Sequence, residues 1–197
     1  MKLYLSIIGI AMAIIAALNI VFGVASWYYV IAAVIWCTAL QFALDGIIAI
    51  LIRLTPDKYY SVDNPHFDVS DKSQRLYGKL QVRRWKDKVW ELGGLGGFSK
   101  KRLYQPNNPE YIEKFIIECN RGVVTHRLIY PVGFLAMMTV NGLCAITIAF
   151  PVAIVNLILN ILPTIVLRYN TPSLKRLLSH MKRKQEETKT HNTQKAL

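Results

Sequence analysis

Residues 3–25 carry no charged side chain, and a second apolar run over residues 26–52 follows with no polar interval between them. At about 1.5 Å per helical residue, about 23 residues cross a hydrocarbon core about 30 Å thick. A secretory signal peptide has a shorter apolar core and a polar stretch after its cleavage site, so the pair reads as a transmembrane hairpin. The turn is expected near residues 23–27, with Trp27, Tyr28 and Tyr29 at headgroup level.

A polar stretch runs from Arg53 to Arg127, and residues 128–167 are again apolar. That length is too great for one span and enough for two. Asn141-Gly142 is its best turn signal, which predicts a short helix over 125–140, re-entrant or shielded by its neighbours, and a longer one over 143–167. The expected fold is an all-α integral membrane protein with about four transmembrane helices. Its parts are an N-terminal transmembrane hairpin (1–52), a cytoplasmic or interfacial segment (53–124), a second transmembrane hairpin (125–167), and a basic amphipathic helix with a disordered tail (168–197).

Composition and charge agree with this division. With 53% hydrophobic and 18% charged residues and a mean hydropathy of +0.28, the chain is too apolar for a soluble domain of 197 residues. Its net charge of +12 comes from 24 Lys and Arg: Lys2 stands alone before Arg53, 15 lie from Arg53 to Arg127, and 8 from Arg168 onward. Both connecting turns lack charge, so the positive-inside rule places both termini and the central segment in the cytoplasm of a multi-pass cell-membrane protein. Cys37, Cys119 and Cys144 have no partner at metal-ligand spacing and read as small buried hydrophobes.

Asn108-Pro109-Glu110 has the cap, proline and acid of a helix start, and Ile112, Phe115, Ile116 and Cys119 form its apolar stripe. Nothing but Gly122 interrupts it before Arg127. This helix is expected to run into the third span and deliver Glu118, Arg121 and His126 to the membrane surface. A second start is read at Asn170-Thr171-Pro172-Ser173, leading into Leu174, Leu177, Leu178 and Met181 on one face and Lys175, Arg176, Lys182, Arg183 and Lys184 around it. Such a helix suits anionic headgroups or packs on the protein's own polar part; beyond Gln185 disorder is expected. The run from Val82 to Trp90 mixes cations with tryptophans, which lipid phosphates explain better than nucleic acid. Gly93-Gly94-Leu95-Gly96-Gly97-Phe98 is a flexible loop lacking the spacing of a nucleotide site.

His126 can serve as a base near neutral pH, or be a satisfied interfacial histidine. Glu118 lies about 12 Å before it on a straight helix, so the two meet through a substrate or a bend at Gly122. Arg121 suits a carboxylate, phosphate or oxyanion. Asp45, deep in the second span, needs pairing or hydration; Gln41 and Asn156 are its expected partners, and the alternative is polar glue, the role read for Asn156 and Asn160. Hydrolase, zincin and soluble acyltransferase motifs are absent, and no metal site is expected.

Four blocks in order carry a resemblance: Pro56-Asp57-Lys58-Tyr59; Val82-Arg83-Arg84-Trp85-Lys86; Tyr111 to Glu118 with Arg121 and His126; and Arg168-Tyr169-Asn170. Together they resemble the glycosyl-4,4'-diaponeurosporenoate acyltransferases, small bacterial membrane proteins that place a fatty acyl group on the sugar of a glycosylated carotenoid. The resemblance implies acyl transfer with His126, Glu118 and Arg121 as catalytic residues. Arg84, Trp85, Lys86, Arg168, Tyr169 and Asn170 would bind substrate, and Asp45 joins them by its position. It implies no cofactor: acyl-CoA, acyl carrier protein or a phospholipid would be the acyl donor, and a lipid-linked glycoside or glycolipid the acceptor. Membrane lipids with anionic headgroups are the expected partners, and nucleic acid is not; the oligomeric state is not legible. Gly122-Val123 stands where relatives have Ala-Glu, and Leu167 where they have Gln. A non-catalytic membrane subunit that docks a partner or anionic lipid is the alternative.

Overall fold

The computed structural model describes residues 2–89 and 103–195, and no strand occurs among them. Trp90 and the glycine-rich loop 93–98 lie outside the described residues. Three of the described helices contain stretches long and apolar enough to cross a membrane: Tyr4–Val21, Trp27–Arg53 and Ala145–Thr188. The chain divides into two compact units, one formed by Met1–Thr55 with Val124–Thr164 and the other by Pro56–Val123 with Ile165–Leu197.

In the first unit, α1 (Lys2–Val21) and α2 (Trp27–Arg53) form the expected hairpin. Gly23 makes the turn at φ +64°, a left-handed conformation that costs glycine nothing. Much of their surface is bare hydrocarbon, including Ile10 at 60%, Val21 at 79% and Ile50 at 64% exposure. Water penalises such a surface and lipid does not. Their inward faces place Ile15, Val30, Val34 and Cys37 against Val140, Cys144, Ile148 and Val152. Cys37 and Cys144 are buried here, as Cys119 is in the other unit, and none of the three is in a disulfide.

The helix expected over 125–140 continues the one before it, as the sequence predicts, but changes form partway. Its first half is the end of α5 (Pro109–Val132), which runs on unbroken from the Asn108 cap. Pro131 lacks the N–H an α-helix would use, and the chain tightens into a seven-residue 3-10 helix, Gly133–Thr139. The larger 3-10 rise lets residues 124–139 extend about 27 Å despite their small number. Gly142, at φ +59°, makes the turn that Asn141-Gly142 predicts. A π-helical turn over Ala145–Ala149 then leads into α6 (Phe150–Lys195). Buried Asn19 donates to the Thr147 carbonyl at 2.9 Å, satisfying an acceptor in that irregular turn.

In the second unit, Asn108 caps α5 by accepting from the backbone N–H groups of Glu110 and Tyr111 at 3.0 and 3.2 Å. Ile112, Phe115, Ile116, Cys119 and Val123 pack with Leu167, Leu174 and Leu178 of α6. Short helices α3 (Asp71–Lys79) and α4 (Val82–Trp85) complete the unit. Two expectations fail on α6. It does not start at Asn170 but passes through Pro172, with Thr171 donating back to the Leu167 carbonyl at 2.9 Å instead of capping. It also stays helical to Lys195, past the predicted onset of disorder at Gln185; the Lys182–Glu113 pair at 2.7 Å and Arg183–Glu187 four residues apart favour that continuation.

Candidate active site

Each unit builds a polar centre, and the catalytic trio expected on α5 is divided between them. In the first, α6 presents Asn156 and Asn160, one helical turn apart, toward groups from α2 and α5. The Nδ1 atom of His126 lies 2.7 Å from Asn160 Oδ1. Asn160 Nδ2 reaches Asp45 Oδ2 at 3.4 Å and Asn156 Oδ1 at 3.0 Å, and Asn156 Nδ2 donates to Asp45 Oδ1 at 3.1 Å and Gln41 Oε1 at 2.9 Å. Gln41 in turn donates to the Gly133 carbonyl at 2.5 Å. A Cβ on Gly133 would stand 2.9 Å from Gln41 Oε1, so a larger residue there would displace that amide. Tyr130 donates to Thr164 at 2.8 Å nearby on the same two helices. Asp45 thus has Asn156 as expected, reaches Gln41 only through Asn156, and shares Asn160 with His126.

In the second unit Arg121 is clamped by Glu118, three residues back, and by Asp57, with the Tyr60 ring 5.0 Å from its guanidinium carbon. Burial works against the charged form, and hydrogen bonds and negative charge from Asp57 and Glu118 outweigh it, holding the pKa of Arg121 above its ordinary value. Two blocks distant in sequence also meet: Lys86 Nζ donates to Asn170 Oδ1 at 3.3 Å and lies 5.8 Å from the Tyr169 ring centroid. Arg168 donates to the Tyr77 hydroxyl at 3.3 Å and the Asp68 carbonyl at 3.2 Å. Trp85 donates to the Leu80 carbonyl at 2.9 Å, and exposed Arg84 to Gln81 Oε1 at 2.8 Å.

The cations therefore fall into two kinds. Arg121, Lys175 and Lys182 face carboxylates, whereas the partners seen for Arg84, Lys86 and Arg168 are neutral. Among the described residues no group of three or more His, Cys, Asp or Glu could hold a metal ion. Asp57, Tyr60, Tyr77 and Asp68 escape the sequence reading as site residues, because partners 60 or more positions away leave no local periodicity; Asn160 is legible only by its i, i+4 spacing from Asn156.

The described residues form a helical protein with apolar helices of spanning length and a histidine joined to a chain of side-chain amides. The model of the glycosyl-4,4'-diaponeurosporenoate acyltransferase family matches residues 56–180, well over half of the chain, and the chain belongs to that family. It is accordingly a transferase of the acyltransferase class. No curated protein and no solved structure matches it. The matched stretch includes His126, Asn156, Asn160 and the cations discussed above except Lys182; Gln41 and Asp45 also lie outside it.

Proposed function

We propose that the protein moves a fatty acyl group from a thioester or phospholipid donor to a sugar hydroxyl of a glycosylated isoprenoid or glycolipid at the cytoplasmic face of the cell membrane. The family match over residues 56–180 is the observation that carries this reading. The exposed apolar surface of α1 and α2 and the basic central segment support a lipid-borne substrate whose head meets cationic protein.

In this reading the imidazole of His126 takes the proton of the acceptor hydroxyl as its oxygen attacks the donor's acyl carbon. The tetrahedral intermediate collapses, the donor's thiolate or alkoxide leaves, and the imidazolium returns the proton to it. Arg121 brings no net positive charge, being matched by two carboxylates, so the binding of donor phosphates falls to Arg84, Lys86 and Arg168. Glu118 then orients Arg121, while Trp85, Tyr169 and Asn170 offer ring faces and an amide to the sugar.

The test is lipid mass spectrometry on a deletion strain, a wild-type complement and a His126→Ala complement. A glycolipid lacking one acyl group accumulates in the deletion and alanine strains and disappears on complementation with wild type. An unchanged lipid profile would remove the acyl-transfer reading, and normal acylation in the alanine strain would remove His126 as the base.

A further inference from the structure

We propose that a one-directional chain of side-chain amides, running from Gly133 through Gln41, Asn156 and Asn160, holds His126 as the tautomer protonated on Nδ1. Asp45 acts as its second anchor rather than as a substrate contact. The inference rests on the reading of His126 as the base, and it adds which nitrogen accepts the proton and which residues decide this.

The direction is forced link by link. A backbone carbonyl can only accept, so the Gly133 carbonyl fixes the NH₂ end of Gln41 toward it. Gln41 Oε1 is then left to accept from Asn156 Nδ2, and Asn156 Oδ1 from Asn160 Nδ2. With its NH₂ committed, Asn160 can offer only Oδ1 to the ring, so the contact at 2.7 Å requires a proton on His126 Nδ1. Asp45 agrees with the same order, since its two oxygens face the amide nitrogens of Asn156 and Asn160 at 3.1 and 3.4 Å. Reversing any one amide would set acceptor against acceptor at about 3 Å, a loss in a low-dielectric setting that no single inverted link recovers. In the neutral ring Nε2 then carries the lone pair.

Free imidazole side chains favour the opposite tautomer, so the predicted state is distinctive. The full-length protein in lipid nanodiscs, labelled with nitrogen-15 histidine, is observed by proton–nitrogen correlation at a pH where the ring is neutral, with His126→Gln supplying the assignment. We expect the Nδ1 resonance of His126 to be the protonated one in wild type, and the pattern to move toward the free-histidine mixture in Asn160→Leu, a change of similar volume. Gln41→Met, which removes the Gly133 link and leaves Asp45, should shift it partway. A wild-type ring protonated on Nε2, or an Asn160→Leu spectrum identical to wild type, would overturn the proposal. Undiminished acyl transfer by His126→Gln would instead sink the catalytic reading, and the spectrum would still report the tautomer.

Discussion

Asp57 and Glu118 hold the same guanidinium from unequal surroundings: their side chains are 62% and 21% exposed, while that of Arg121 is 11% exposed. An exposed carboxylate gains little from pairing because water already solvates it, whereas a shielded one depends on its partner. We predict that Asp57→Ala costs about 0–1 kcal/mol of stability and Glu118→Ala about 1–3 kcal/mol, measured by unfolding in a fixed lipid–detergent mixture. The opposite order would refute the clamp. Because the folded pKa of Arg121 is raised, its contribution is complete below the unfolded value and is lost only as pH rises through the folded one, so it is constant across the physiological range. At this scale, residues announced by local chemistry were legible: the Asn108 cap, and Asp45 as a carboxylate too costly to stand alone in a span. Asp57 and the Asn160 contact to His126 were not, since each joins elements whose pairing no short window contains.

Helices α5 and α6 approach so closely in the second unit that a Cβ on Gly122 would stand 2.9 Å from Leu167 Cδ1. Gly122 and Leu167 are therefore parts of one packing contact. We expect Gly122→Ala to fall short of the about 1 kcal/mol that alanine gains over glycine in a helix interior, because Leu167 Cδ1 must yield, and to recover it in a Leu167→Val background. A double-mutant cycle reads the coupling, and simple additivity would contradict the contact. The same helices show why element boundaries were only partly readable. The hairpin of α1 and α2 follows from an uninterrupted apolar pattern bounded by Gly23 and Arg53. Pro172, by contrast, has every local mark of a helix start, yet Leu174 and Leu178 are buried in the cluster that holds Leu167, and this packing carries α6 through the proline. Pro131 acts in the other direction: it converts an expected span into an α-helical end and a 3-10 stretch, which an apolar count cannot distinguish.

For the whole chain, the segregation of Lys and Arg makes sidedness testable. A membrane-impermeant maleimide should label Ser26→Cys and Asn141→Cys in intact cells, and Lys58→Cys and Lys175→Cys only after permeabilisation. The three native cysteines are buried and give little background. Labelling of Asn141→Cys and Ser26→Cys from opposite sides would break the two-hairpin arrangement. The division into apolar and basic stretches, and with it the helical membrane class, was legible because it is written in composition. The local form of the chain on either side of Asn141-Gly142 was not, since 3-10 and π-helical turns change the rise per residue without changing hydropathy. The turn at Asn141-Gly142 also bears on how the molecule ages. Asn141 is exposed and the glycine after it puts no side chain in the way, so the Gly142 nitrogen can attack the Asn141 side-chain carbonyl; ammonia leaves, and the succinimide formed opens with water to aspartate or isoaspartate. We expect peptide mass spectrometry of protein stored at mildly alkaline pH to find deamidation at Asn141 well before Asn156 or Asn160, which are held in a helix; equal rates would refute this. Each such event places a negative charge on a loop that otherwise has none, so an old molecule and a new one differ in charge at that turn.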